Sequence, residues 1–394
     1  MTTTSSPPTI TGHLRAEDCH LEDLLAILEH GTDPADHPHA RTIEQGVPIY
    51  EADVLRAAIT DDDARRAIHA EIAATLAGGP GIVVFQGAFA HDVVDRVSAV
   101  FEQIIAAEKA DGGPAGDHFA APGANDRMWN ALEKLAVTDP AAFVDYYAND
   151  IVALAATAWL GPGYQVTSQV NVVNPGGAGQ TVHRDYHLGF QSPKTSAEFP
   201  AHVHQLSPLL TLQGAVAHCD MPVESGPTLY LPHSQKYTHG YLAYWLPEFQ
   251  EYFVEHHVQL PLAKGDAVFF NPALFHAAGT NHTATVRRMA NLLQVSSAFG
   301  RAMETIDRRR VVEAIYPSLL ARKAAGMPPA RVGDVVAASA EGYAFPTNLD
   351  RDQPINGMSP PTQADLVRRA LGEAVTPEEL SDRLAAQERL TRSH

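Results

Sequence analysis

Thr181-Val-His183-Arg-Asp185-Tyr-His187-Leu-Gly-Phe190 is the stretch on which the fold turns. Read as the start of a strand, its alternation puts His183 and Asp185 on one face, where both side chains reach a single point. An apolar strand, Tyr164 to Val173, and a glycine-rich turn, Asn174-Pro-Gly-Gly-Ala-Gly179, lead into it. Far downstream, Gly265-Asp266 opens a second apolar run that ends in Pro272-Ala-Leu-Phe-His276. Two imidazoles and one carboxylate on rigid β-structure are the donor set of the facial triad of mononuclear non-haem iron(II).

Outward from this stretch the chain keeps a β rhythm. Short segments at 165–173, 181–184, 207–219, 227–231, 257–262, 266–271, 274–277 and 285–297 are separated by turn signals. Eight such strands predict an α+β protein with a double-stranded β-helix, or jelly-roll, core at about 164–298. Helical periodicity flanks it at 21–29, 51–77, 90–108 and 140–160 before the core, and at 302–325, 362–372 and 376–391 after it. Gly81-Ile-Val-Val-Phe-Gln-Gly87 is an early buried strand, and 31–48 reads as a loop. Residues 110–127, rich in Gly, Pro and Asp and carrying His118 and Arg127, form either an active-site lid or a plain surface connection. The expected organisation is a disordered tail at 1–12, a single domain at 13–300 and a helical C-terminal extension at 301–394, a candidate homodimer contact.

Composition narrows the partners. A formal charge of −18 and the lack of any run of Lys and Arg exclude nucleic acid and anionic membranes. Cys19 and Cys219 are too far apart in sequence for a CxxC site, and two cysteines suggest no disulfide framework. The N-terminus has neither a basic nor an apolar leader region, and the longest apolar stretch, Ile151 to Leu160, is half a membrane span. A cytoplasmic protein acting on a small molecule is the expectation.

His-x-Asp by itself discriminates poorly in a chain with 20 histidines. A second triplet, His218-Cys-Asp220, ends an apolar strand just before a turn, where Asp ordinarily serves as a cap. His20-Leu-Glu22 and His69-Ala-Glu71 fall in helices, where a spacing of two points the side chains to different faces. The turn before His183, its register and the downstream His276 favour His183 and Asp185.

Four blocks in order then resemble the phytanoyl-CoA dioxygenase family of Fe(II)- and 2-oxoglutarate-dependent oxygenases. They are His183-Arg-Asp185, then Glu224-Ser-Gly-Pro-Thr228 through Pro232-His-Ser-Gln235, then Gly265-Asp266 leading to His276, then Gly279-Thr-Asn281 and Arg287. The resemblance covers roughly 80–300. It departs at Pro232-His-Ser-Gln235, where Gly-Ser-His is usual, at Ala278, where Ser is frequent, and near Gln213-Gly-Ala215, where an aromatic residue is common.

The resemblance implies iron(II), 2-oxoglutarate and O2 as cofactor and co-substrates, with His183, Asp185 and His276 as metal ligands. Arg287 is the expected partner of the distal 2-oxoglutarate carboxylate, through the planar fork that lysine lacks. Arg288 competes with it, since neighbouring strand residues face opposite ways. Gln169 and Asn171, alternating inward on the first core strand, and Thr228 are candidate co-substrate contacts, or satisfied core polar groups. His187, which would follow 183 and 185 inward, Tyr186, Arg127 and Trp129 are candidate substrate contacts, and Tyr244-Trp245 candidates for the mouth. Retention of Asp185 separates the chain from related halogenases, which carry Ala or Gly there, and implies hydroxylation or another oxidation. The competing classes are a jelly-roll that only binds a ligand, and a cupin-like metal-dependent isomerase or hydrolase that needs no arginine at 287.

Overall fold

The structure, a computed structural model, describes residues 12–111 and 124–394. The tail expected at 1–12 falls almost wholly outside the described residues, as does most of the candidate lid, including His118.

Eleven strands are present among the described residues: β1 (Thr42–Glu44), β2 (Val47–Glu51), β3 (Ile82–Gln86), β4 (Asn125–Met128), β5 (Gln165–Val173), β6 (Thr211–Ala217), β7 (Leu229–Leu231), β8 (Val258–Gln259), β9 (Ala267–Phe270), β10 (Phe275–Ala277) and β11 (Arg288–Ser296). Eight form one mixed sheet in the order β1-β2-β3-β9-β6-β11-β5-β4, and three form a second in the order β10-β7-β8. Only β2 and β3 run parallel; the other pairs are antiparallel. The protein is thus α+β, with a large sheet and helices at both ends of the chain.

The two faces of the large sheet have different partners, as period-two alternation requires. Met289, Leu293 and Val295 of β11 point into the main apolar cluster with the helices. Ala290, Leu292 and Gln294 point the other way, into a cavity between the sheets. Tyr230 of β7 meets Phe270 of β9 across that gap, edge-on at 5.1 Å. The main cluster includes Phe101, Phe143 and Ile151 from helices before β5 and Val311, Tyr316 and Leu384 from helices after β11. The Tyr316 hydroxyl donates to the Ala370 and Val375 carbonyls, tying the last helices to this core.

Several expected elements differ for local reasons. The helix expected at 51–77 breaks into Ala52–Ala58 and Asp62–Ala77 because the Asp61 carboxylate caps the second by accepting from Ala64 N. Asn149 does the same between Pro140–Tyr147 and Asp150–Leu160, accepting from Ile151 N and Val152 N. Helices at Ala131–Thr138 and Pro329–Ser339, and strands β1 within the expected loop and β2 at its end, were hidden by turn-rich flanks. No helix among the described residues is long and apolar enough to cross a membrane.

The stretch 181–184 is not a strand. It makes one antiparallel bridge, His183 to His276, and then turns. Tyr186 and His187 have φ of 61° and 46°, a left-handed pair that costs non-glycine residues about 1–3 kcal/mol each. The chain therefore leaves strand geometry immediately after Asp185 and enters the short 3-10 turn His187–Phe190.

Candidate metal centre and cavity

His183, Asp185 and His276 converge. Their donor atoms all lie within 4.8 Å of one another. Backbone pairing sets this up. His183 N donates to His276 O at 3.0 Å, His276 N to His183 O at 3.2 Å, and Asp185 N to Pro272 O at 3.0 Å. The 180–185 segment so runs antiparallel beside 272–278. Gly179 lets the preceding turn lie against it, since a Cβ there would sit 2.5 Å from the Ala278 carbonyl oxygen.

Both imidazoles are oriented from the side away from the cluster. The Nδ1 of His183 lies 2.9 Å from Thr181 O, and that of His276 lies 2.8 Å from Leu274 O. A carbonyl oxygen only accepts, so each Nδ1 carries a proton, and in the neutral ring it is Nε2 that offers its lone pair to the cluster. Those Nε2 atoms lie 3.7 Å and 3.3 Å from the Asp185 carboxylate. Gln213 of β6 donates from Nε2 to Asp185 Oδ2 at 2.5 Å. Burial, followed by the neighbouring His276, pushes the His183 imidazole below its ordinary pKa. Burial would raise the Asp185 carboxyl, but His183, His276 and Gln213 outweigh it and hold it well below the carboxylate range. Two neutral imidazoles and an ionised carboxylate are the form that binds a divalent metal, so the donor set fits iron(II).

The triad opens on a cavity of about 750 Å³. Its sheet wall is built by register. Arg127 of β4 stands opposite Asn171 of β5, Gln169 opposite Leu292 of β11, and Gln294 opposite Gln213. Thr228, Arg127, Trp129, Gln169 and Asn171 all line it, as the sequence suggests. Arg127 lies in β4 rather than in a loop; its Nη1 donates to Gln169 Oε1 at 3.1 Å, and its guanidinium stacks over Trp129. Gln169 Nε2 donates in turn to Gln294 Oε1. The rim is apolar: Phe190, Trp245 and Met303 come from three separate segments and remain exposed. Tyr244 lines the cavity behind them.

Three expected contacts are corrected. Arg287 does not enter the cavity; it lies on the outer face, paired with Glu102 at 2.8 Å and Asp126 at 3.5 Å. The inward arginine is Arg288, which starts the 288-290-292-294 face of β11 and is 7% exposed. Its Nη1 donates to Ser225 O and Gly279 O, and burial pulls its pKa down to about 10. No carboxylate pairs with it among the described residues. Tyr186 and His187 also leave the cavity, because the left-handed turn ends the alternation that would have carried them in. Tyr186 packs on Phe190, and His187 Nδ1 lies 3.3 Å from Ser207 Oγ.

Gln213, Gln294, Phe190 and Met303 were missed as site residues. The sequence signal for Gln213 is a polar side chain ahead of Ala215 and Ala217 on one face of β6, at the point where an aromatic residue is common in the family it resembles. The rival triplet is structural. His218 lies 2.8 Å from Ser98 Oγ and 2.9 Å from Tyr146 Oη, with burial pushing its pKa down to about 3, and Asp220 caps Lys264 N.

The sequence profile of the family described as phytanoyl-CoA dioxygenase (PhyH) matches residues 79–289, more than half of the chain. Solved structures similar to the chain include the non-heme alpha ketoglutarate dependent carbocyclase SnoK from nogalamycin biosynthesis, at 19% identity and TM-score 0.41, over 60% of this chain and 84% of that one. AviO1 from Streptomyces viridochromogenes Tue57 matches at 20% identity and TM-score 0.42, over 60% and 97%. The epimerase SnoN, from nogalamycin biosynthesis, matches at 18% and 0.36, over 60% and 84%. No curated protein sequence matches the chain significantly.

Proposed function

The chain belongs to the phytanoyl-CoA dioxygenase family of iron(II)- and 2-oxoglutarate-dependent oxygenases, and we propose that it hydroxylates a small, largely apolar organic molecule at the centre formed by His183, Asp185 and His276. The observation that carries this reading is the orientation of the triad. Three donors converge on a cavity wall with both Nδ1–H groups tied back to carbonyls, so that both Nε2 atoms face one point. When bound there, the iron and 2-oxoglutarate supply an O2-dependent oxidation that releases succinate and CO2.

The sheets support the jelly-roll reading. With β5, the 181–185 segment, β6, β7, β8, β9, β10 and β11 numbered one to eight, the large sheet contains the order 6-3-8-1, and the small one reads 7-4-5 with the second segment bridged to the edge of strand seven. That is the connectivity of two interleaved Greek keys closed over a pocket. The helices before and after share its main core, which supports one oxygenase domain with an appended, not independent, C-terminal region.

Around the centre the residues divide the work. Arg288, cationic, buried and without an acid partner among the described residues, receives the distal carboxylate of 2-oxoglutarate, with Thr228 beside it. Gln213 holds the Asp185 carboxylate in place. The carboxamides of Gln169, Asn171 and Gln294 offer donors and acceptors to neutral polar substituents, while Trp129, Tyr244, Trp245, Phe190 and Met303 take the apolar body of the substrate. Asp185→Ala tests the centre: substrate-dependent succinate formation is expected to vanish and iron affinity to collapse. Turnover surviving that change would sink the metal assignment.

A further inference from the structure

We propose that Arg184, the residue between His183 and Asp185, is a positioning residue that fixes both halves of the metal triad from behind; this rests on the reading of His183, Asp185 and His276 as the ligands. Its guanidinium packs among Ser234, Tyr237, Tyr241 and Phe275, none of which lines the cavity. It is 2% exposed and forms no ion pair with any described residue. A buried guanidinium without a carboxylate costs several kcal/mol of desolvation that an apolar side chain would not. The neighbouring residues show what that cost secures.

The Nη2 of Arg184 donates to two carbonyls of the distant 234–237 turn, Ser234 O at 2.6 Å and Tyr237 O at 2.9 Å. The guanidinium lies between two rings, 5.1 Å from the centre of Tyr241 and 5.0 Å from that of Phe275. Phe275 immediately precedes His276. Ser234 closes the circuit, because its hydroxyl accepts from Phe275 N at 2.8 Å while its carbonyl accepts from Arg184.

Alternation explains the design. His183 and Asp185 face the cavity on one segment and His276 on its bridged partner, so Arg184 and Phe275 meet on the reverse side. One planar cation thereby ties the His183–Asp185 segment, the 234–237 turn and β10 into a single unit. Gly240 makes the fit possible, since a Cβ there would lie 1.8 Å from Arg184 Cζ. A lysine at 184 keeps the charge and can donate to the carbonyls, but it lacks the flat head that lies over Tyr241 and Phe275.

Cobalt(II) titration of the metal-free protein, followed by its visible ligand-field spectrum, tests this without relying on turnover. Arg184→Lys is expected to weaken cobalt(II) binding about 10- to 100-fold, the usual loss when a ligand's support is removed, and to change the spectrum. Ser234→Ala, which keeps the carbonyl bond and removes only the Phe275 link, is expected to weaken binding in the same sense by a smaller factor. In the double variant the two losses should fall short of adding, because both act through one unit. Thermal melts of the metal-free variants identify the folded fraction. Folded variants that bind cobalt(II) as wild type does, with an unchanged spectrum, would overturn the proposal. If Arg184→Lys does not fold, Ser234→Ala decides alone: weaker binding upholds the link, and unchanged binding removes it. Asp185→Ala is the control. A wild type that binds no more tightly than Asp185→Ala would refute the ligand assignment itself, a failure distinct from that of Arg184.

Discussion

Exchanging the roles of two adjacent arginines gives the sharpest prediction. Arg288→Gln removes a buried guanidinium that has two carbonyl acceptors, Ser225 O and Gly279 O, and no acid partner among the described residues. A charge-assisted hydrogen bond is worth about 1.5–3 kcal/mol, and losing one partner of a desolvated charge pair costs about 2–5 kcal/mol. Taking about 2–4 kcal/mol for the 2-oxoglutarate carboxylate, at about 1.4 kcal/mol per decade, its dissociation constant should rise roughly 30- to 1000-fold. Arg287→Gln breaks an exposed pair with Glu102, worth at most about 1 kcal/mol to stability, and a 3.5 Å contact with the buried Asp126, which keeps Lys109 as a partner; it should leave that constant within about threefold. The assay is calorimetric titration of 2-oxoglutarate into cobalt(II)-loaded protein, with the KM for 2-oxoglutarate as a second readout. Arg288→Lys, which keeps charge without the fork, should fall between. An Arg287→Gln effect equal to that of Arg288→Gln, or an Arg288→Gln protein that binds as wild type does, would refute the assignment.

Three further outcomes follow from the packing. His218→Leu deletes contacts to Ser98 and Tyr146 and should lower stability by about 1–3 kcal/mol while leaving cobalt(II) affinity unchanged; a loss of metal binding would restore the rival triplet. Gly214→Ala would set a Cβ 2.5 Å from Phe269 Cδ1, and a thermal melt should show overpacking of about 1–3 kcal/mol. Burial, aided by Asp150 against the opposing Arg331, lifts the Asp334 carboxyl to about 7. A carboxyl raised on folding contributes stability that is present below its unfolded pKa and lost as pH rises through the folded value. Asp334→Asn should therefore leave the melting temperature unchanged near pH 4 and raise it above pH 7; the gain, discounted for partial exposure, is about 1–2 kcal/mol.

Local pattern carried much of this protein in plain view. Apolar alternation located most of the strands of 165–297, and the triad could be chosen from four candidate pairings because its turn and its distal histidine came in the right order. The errors at Tyr186 and His187 share one cause. Periodicity assumes that a strand continues, and at Asp185 it does not: the positive φ of Tyr186 and His187 turns both away from the cavity. Helix breaks at Asp61 and Asn149 were likewise set by single side-chain caps that a periodic average smooths over.

The sequence by itself determined the ligand chemistry, since residue type and spacing decide which atoms can bind a metal. Only the tertiary structure decided which of two adjacent arginines faces inward. That depends on the register of β11 against β5 and β6, where one residue of shift exchanges the faces. It also showed that Gln213, distant in sequence, bonds Asp185, and that the arginine inside the His183-Arg-Asp185 stretch bonds the 234–237 turn. Long-range pairing brings these groups together, and no local pattern records it.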